Sequence, residues 1–108
     1  MAGSSQSVEV RRLYSGLIRL HVLYHAEREE IIGFGIMQDL RRHGYQIGPG
    51  TMYPMLHAME KNGLLRSKVL KKDGREQRAY RATPAGRKAL VEARVKVQEL
   101  FHELFEED

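Results

Sequence analysis

The 108-residue sequence contains no cysteine. It can therefore form neither disulfide bonds nor thiolate metal sites, and a reducing cytoplasm is the expected environment. No apolar run approaches the roughly 18 residues that indicate a membrane-spanning helix. The N-terminal stretch MAGSSQSVEVRR lacks the apolar centre of a signal peptide, and we expect residues 1–7 to be a flexible lead-in.

The sequence also lacks the residue patterns of common enzyme sites. There is no Ser-His-Asp pattern and no paired acidic motif, and the glycines beside Pro49 follow no strand, as a nucleotide-binding loop would. His21 and His25 are four residues apart on a predicted helix, but no third ligand accompanies them. That pair favours surface or interface histidines over a metal site. We therefore expect no enzymatic activity, no metal and no cofactor.

The charge is unevenly distributed along what should be one domain, or one domain with an appended element. The formal net charge is +4, yet residues 61–81 alone carry eight basic and two acidic side chains, a local +6. The last ten residues carry five acidic side chains and no Lys or Arg. Clustered positive charge is typical of phosphate contacts. The alternative is a solvated hairpin whose lysines protect its edge.

Apolar residues recur at helical spacing in four segments. These predicted helices cover about residues 8–26, 33–43, 51–63 and 84–106. Gly44 follows the second helix, where glycine can adopt the left-handed C-cap conformation. We place the start of the third helix near Thr51, because Pro54 costs little only near a first turn. A short turn that contains glycine joins the second and third helices, which is the layout of a helix-turn-helix.

A two-stranded hairpin follows the third helix. Its strands cover about residues 64–72 and 75–83, and Asp73-Gly74 between them is a strong signal for a type I′ turn. A helix followed directly by a basic hairpin is typical of the DNA-binding end of a winged helix-turn-helix. The predicted fold is mainly α with a small β-hairpin. A winged helix-turn-helix spans residues 8–83, and a long helix with an acidic tail spans residues 84–108.

The third helix has an apolar face and a polar face. Its apolar side chains, which we expect in the core, are Met52, Met55, Leu56 and Met59. The candidate DNA contacts on the outer face are Thr51, Tyr53, Pro54, His57 and Lys61. Hydroxyl, imidazole and ammonium groups can hydrogen-bond to base edges or phosphates. The alternative is the solvent-facing side of an amphipathic helix.

The hairpin, or wing, supplies the other candidate DNA contacts. Lys71, Lys72 and Arg75 lie at its tip, where they can contact phosphates or the minor groove. Arg78 lies farther along the same hairpin and is a further candidate. Tyr80 is expected instead in the core, where it holds the wing against the third helix.

The last helix carries one apolar stripe at a spacing close to a heptad repeat. One small domain cannot cover a stripe of this length, so we predict a homodimer in which the first helix packs beside the last. The candidate interface residues are Leu13, Leu17, Leu90, Ala93, Val97, Leu100, Phe101 and Leu104.

The run GTMYPMLHAMEKNGLL at residues 50–65, followed by KKDGREQRAYRAT at residues 71–83, resembles the PadR family of bacterial transcriptional regulators. The matching residues are Gly50, Thr51, Tyr53, Pro54, Leu56, Glu60, Gly63, Leu64, Leu65, Gly74, Arg75, Tyr80 and Thr83. Met52 and Ala82 replace leucines of the family pattern, which changes packing and no polar role. A single C-terminal helix is similar to the short subfamily.

The resemblance implies a homodimeric regulator that binds double-stranded operator DNA with the third helix and the wing. Most members of the family are repressors, so repression is the expected direction of regulation. It implies a bacterial cytoplasmic protein that is nucleoid-associated when bound to DNA. In that subfamily a small-molecule effector can occupy a cavity between protomers, although Val97 offers no large aromatic ring for stacking. The competing hypothesis is a winged-helix protein-interaction module without a DNA target, since fold alone does not decide function. The +6 hairpin favours DNA.

Overall fold

A computed structural model describes residues 7–106 of the chain. The expected lead-in falls mainly on residues 1–6, and the tail ends at residues 107–108, so these two predictions lie outside the described residues. The elements in chain order are α1 (Val8–Arg28), β1 (Ile31–Ile32), α2 (Gly33–Arg42), α3 (Pro49–Lys61), β2 (Leu65–Lys72), β3 (Arg75–Ala82) and α4 (Pro84–Phe105). The four helices and the hairpin of a winged helix-turn-helix are thereby confirmed.

Ser7 caps the start of α1: its side chain accepts a hydrogen bond from the amide of Val10 at 3.1 Å. The helix continues through Glu27 and Arg28, two residues beyond the predicted end, since both are good helix formers. Glu29 is the first residue in an extended conformation. The residues that it buries are Ile18, Val22, Leu23 and Ala26. Leu13 and Leu17, the predicted interface residues of this helix, are exposed.

Helix α3 starts at Pro49, two residues earlier than predicted. Proline has the favoured φ for a first helical residue, so Pro49 begins the helix although Pro54 then lies inside it. Pro54 has no N–H to donate to the carbonyl of Gly50. Gly50 is exposed, so water can hydrate this carbonyl instead. In the preceding turn Gly44 adopts the predicted left-handed conformation, with φ +95°, and Ile47 is buried.

The hairpin closes as predicted, with Asp73 at φ 53° and Gly74 at φ 75°. The sheet contains a third strand that was not predicted from the sequence. Strand β1 pairs antiparallel with β3, with Ile31 opposite Tyr80 and Ile32 opposite Ala79. The strand order is β1-β3-β2, so the wing is attached through β3 to the segment between α1 and α2.

Helix α4 begins at Pro84, as predicted, and Thr83 caps it: the Thr83 hydroxyl accepts a hydrogen bond from the amide of Gly86 at 3.0 Å. Its first turns pack on the core, and α1 runs beside it. Leu90 is only 8% exposed and belongs to the core of the protomer, unlike most of the stripe with which it was grouped. Beyond Leu90 the side chains of α4 are largely exposed.

Candidate nucleic-acid interface

Helix α3 presents the predicted polar face to solvent because its opposite face is anchored in the core. The anchoring side chains, all predicted from the helical spacing, are Met52, Met55, Leu56 and Met59. The candidate DNA contacts on the other face, all exposed, are Thr51, Tyr53, Pro54, His57 and Lys61. A side chain must be exposed in this way to contact a base or a phosphate. That these residues bind DNA stays a prediction.

Tyr53 also contributes to packing. Its ring lies on Gly33 at the start of α2, so close that a Cβ at Gly33 would be 2.5 Å from Cε1 of the tyrosine. A larger residue at position 33 would require the tyrosine ring to move. The ring remains 45% exposed, so Tyr53 fixes α3 against α2 and still offers its outer edge to a ligand.

The wing presents its basic residues at the tip. Lys72 lies opposite Arg75 and Lys71 opposite Glu76, and these side chains are exposed. Two other basic residues of the same segment are engaged within the protein. Lys68 forms an ion pair with Glu30 at 2.8 Å, and Arg81 donates to backbone carbonyls of α1. Arg81 therefore serves the fold, whereas Lys71, Lys72 and Arg75 at the tip are exposed to a partner.

A polar network, which was not predicted, joins the end of α3 to the wing. The Glu60 carboxylate accepts from the Ser67 amide at 2.9 Å and from the Ser67 hydroxyl at 2.8 Å. Nη1 of Arg78 donates to the Ser67 hydroxyl oxygen at 3.1 Å. These residues lie on a helix and two strands, so no spacing along the sequence could reveal the network.

Tyr80 is 6% exposed, which confirms its prediction as a core residue. Burial raises the pKa of Tyr80 above its usual value near 10, and the Glu60 carboxylate raises it further. The phenol therefore stays neutral behind the junction of α3 and the wing.

A groove of about 1160 Å³ lies between α1 and α4. Its walls include the predicted interface residues Leu17, Val97 and Phe101. Four other predicted interface residues, Leu13, Ala93, Leu100 and Leu104, are exposed or half-buried, and the buried Leu90 also lines the groove. Apart from Leu90, the predicted stripe therefore lies outside the core of the protomer.

The predicted histidine pair lies beside Asp39 of α2 and beside His43, the residue that follows α2. Nε2 of His25 lies 3.2 Å from Oδ2 of Asp39, and Nε2 of His43 lies 3.7 Å from the same oxygen. The rings of His21 and His43 are 5.0 Å apart. Burial lowers the pKa of His21, and the neighbouring His43 and His25 lower it further while Asp39 opposes them. Within residues 7–106 no group of three His, Asp or Glu side chains is arranged to hold a metal ion.

Comparison with known proteins gives the family. Residues 22–92 match the model of the transcriptional regulator PadR-like family. The transcriptional regulator Rv3488 of Mycobacterium tuberculosis is 48% identical over 95 residues, which cover 88% of this chain and 89% of that protein. None of the helices within residues 7–106 is long and apolar enough to cross a membrane.

Solved structures agree with this family. A PadR family transcriptional regulator from Eggerthella lenta is 29% identical, with a TM-score of 0.72 over 89% of this chain and 81% of that one. A PadR-like transcriptional regulator from Bacillus cereus, 24% identical, shares the fold with a TM-score of 0.73 over 90% of this chain and 99% of that one. Transcriptional regulators are not a class of enzyme. From these matches, and from the helix and wing described above, this chain belongs to the PadR-like family of transcriptional regulators.

Proposed function

We propose that this regulator is a homodimeric repressor that binds an inverted-repeat operator. The observation that carries the proposal is the exposed polar face of α3 beside a basic hairpin. Helix α3 enters the major groove, where side chains such as His57 contact base edges. The wing tip, with Lys71, Lys72 and Arg75, contacts the flanking phosphates. Phosphate contacts supply affinity, and base contacts supply the choice of sequence.

The dimer is proposed from the apolar surface of α4. Val97 is 44% exposed and Leu100 is 48% exposed, and they continue a stripe that the core of one protomer leaves uncovered. A second copy would bury this stripe together with Leu13 and Leu17 of α1. Residues 8–83 then form the DNA-binding unit, and residues 84–108 form the dimerisation element.

Two-fold symmetry determines the operator. Two recognition helices related by a two-fold axis match two half-sites related by the same axis, so the operator is an inverted repeat. Adjacent major grooves on one face of B-DNA recur about every 10 base pairs, which sets the distance between half-site centres. Repression follows if the dimer occupies DNA that polymerase must use.

An effector would bind where the groove between α1 and α4 is closed by the second protomer. The groove combines apolar walls with polar side chains, among them His21, Arg94 and Gln98. A ligand there would contact the helices that set the distance between the two copies of α3. A change in that distance would weaken binding to a fixed half-site spacing.

The proposal is tested by titrating the protein with duplex DNA at two salt concentrations. Affinity should fall steeply with salt, with a slope of about 0.9 for each phosphate contacted. Weak binding that is insensitive to salt would favour a protein-interaction module instead. Inserting about five base pairs between the half-sites turns one half-site to the opposite face and should abolish tight binding. Undiminished binding after the insertion would exclude the symmetric-dimer mechanism.

A further inference from the structure

We propose that Glu60, acting through Ser67, positions Arg78 to bind a DNA phosphate. The inference rests on the proposed DNA-binding function and assigns a role to a residue that does not itself touch DNA. Glu60 is an acid at the end of α3, beside a segment whose other charges are mostly positive. An acid in that place weakens DNA binding unless it does something else, and its hydrogen bonds show what that is.

The position of Ser67 in the sheet explains why a carboxylate is needed. Strand β2 lies at an edge, with β3 on one side only. The amide of Ser67 donates to Glu60 at 2.9 Å, so Glu60 satisfies a backbone donor of the edge strand. The hydroxyl of Ser67 donates to the same carboxylate, at 2.8 Å to Oε2 and 3.0 Å to Oε1. Glu60 thus fixes both the backbone and the side-chain rotamer of Ser67.

The orientation of the Ser67 hydroxyl makes it a directed acceptor for Arg78. The Ser67 hydroxyl donates its hydrogen bond to Glu60, so the lone pairs of the hydroxyl oxygen face away from that carboxylate. Nη1 of Arg78 donates to this oxygen at 3.1 Å. The hydrogen bonds run in one direction, from the arginine cation through the hydroxyl to the carboxylate. Charge at both ends strengthens such a chain.

Arg78 can hold Ser67 and a phosphate at the same time. A guanidinium carries five N–H donors, and one of them is used on Ser67. The side chain is otherwise exposed on the wing, opposite Val69 and a few residues from the tip. Fixing one edge reduces the side-chain entropy that is lost when another edge binds phosphate. Arg78 is therefore a stronger phosphate ligand with Glu60 present than without it.

The sign of the effect separates this role from plain electrostatics. Glu60→Gln and Glu76→Gln each remove one negative charge, and Glu76 lies on the hairpin outside the network. Electrostatics alone predicts that both variants bind duplex DNA more tightly. We expect Glu76→Gln to bind as tightly as the natural protein or more tightly. Glu60→Gln should bind on the order of fivefold more weakly, although it too has lost a negative charge.

Ser67 provides the coupling test and the conservative rescue. Arg78→Ala should weaken binding about tenfold in the natural background and lower the salt slope by about 0.9. In the Ser67→Ala background the same change should cost less than about twofold, because no hydroxyl then holds the guanidinium in place. Ser67→Thr keeps the hydroxyl and should restore the full effect. Lys72→Ala, a change outside the network, should cost the same in both backgrounds.

The measurements are made below the melting temperature of every variant, so that unfolding cannot imitate the result. If Glu60→Gln fails to fold, the Ser67→Ala and Ser67→Thr pair decides. Glu60→Gln binding as tightly as Glu76→Gln overturns the inference, as does an undiminished Arg78 effect in Ser67→Ala. A natural protein that binds no duplex overturns the proposed function and this role with it. Salt-sensitive binding combined with either negative result overturns this role alone.

Discussion

Nε of Arg81 donates a hydrogen bond to the carbonyl oxygen of Ala26 at 3.1 Å. Its Nη2 atom lies 3.5 Å from the carbonyl oxygen of Glu27. Both carbonyls belong to the last turn of α1, where backbone acceptors lack helical partners and carry the negative end of the helix dipole. A residue in the basic wing segment therefore caps a helix, and its charge stabilises the fold.

Arg81→Ala should lower the free energy of unfolding by about 1–3 kcal/mol, since it removes a charged donor to partly buried carbonyls. The matched control is Arg66, which lies opposite Arg81 in the β2–β3 register and is exposed. Arg66→Ala should change stability by less than about 0.5 kcal/mol. Urea unfolding of both variants checks this, and equal destabilisation by the two changes would contradict it.

Gly86 packs its Cα against the backbone of Leu64, and a Cβ there would collide with the Leu64 carbonyl group. Backbone cannot move aside as a flexible side chain can, so Gly86→Ala should destabilise the protein by about 1–3 kcal/mol. Gly35→Ala in α2 is the control, and its effect on stability should have the opposite sign. Nothing lies within 4 Å of its Cβ position, and alanine should stabilise that helix by roughly 0.5–1 kcal/mol. Two thermal melts distinguish these outcomes.

Replacing Val97 and Leu100 with Asp should dissociate the proposed dimer. Burying two unpaired carboxylates at the interface costs several kcal/mol, on the order of what one broken buried charge pair costs. Lys96→Asp places a carboxylate at an adjacent position of α4 and should leave the dimer intact. Sedimentation at high micromolar concentration gives the mass. A natural chain that sediments as a monomer would remove the basis of the prediction.

Changes in α3 and in the wing should have different effects on DNA binding. Lys71→Ala, Lys72→Ala and Arg75→Ala should weaken binding to every duplex and lower the salt slope by roughly 0.9 for each phosphate that is no longer neutralised. His57→Ala should instead change the order of preference among sequences, because base edges carry the sequence information. Binding to a panel of duplexes separates the two effects. Uniform weakening by His57→Ala, with no weakening by the wing changes, would reverse the assignment.

Acidification should destabilise the protein through His21. Burial and the neighbouring His43 and His25 lower the pKa of His21 below its usual value near 6.5, with Asp39 opposing them. The unfolded chain then binds a proton more readily than the folded one, so stability is greatest above about pH 6.5 and falls as the pH drops toward the lower, folded pKa. Arg94 of α4 lines the same groove and adds positive charge.

The check compares melting temperatures at about pH 7.5 and pH 5.5. His21→Gln removes the titrating group and should lose less stability on acidification than the natural protein. An equal decrease in both proteins would assign the acid sensitivity to other groups.

The sequence predicts those parts of the fold that depend on neighbouring residues or on helical spacing. The type I′ turn at Asp73-Gly74 and the cap at Thr83-Pro84 follow from local chemistry, and the methionine face of α3 follows from helical spacing. The placement of Leu90 was harder to predict. Its spacing fits the apolar stripe of α4, but whether one protomer or two cover a position depends on where the other helices stop.

The site was predictable by residue type but not by its hydrogen bonds. The exposed face of α3 and the basic tip are visible in the sequence because charge and periodicity reveal them. The bonds of Glu60 to Ser67 and of Arg81 to Ala26 join residues on different elements, at separations set by tertiary packing. For the same reason His43 and Asp39 could not be grouped with the histidine pair of α1. Strand β1 was missed because two residues are too few to show a period.

That two-residue strand also determines how the DNA-binding half assembles. The pairing of Ile31 with Tyr80 joins positions far apart in the chain, so the wing reaches its full hydrogen bonding only after α1 and α2 are in place. The hairpin can form early as an isolated pair of strands, which is marginally stable in water. Because bonded and non-bonded pairs alternate along an antiparallel ladder, we expect the amides of Ile31 and Tyr80 to exchange with solvent only on global unfolding, as one cooperative unit with the core.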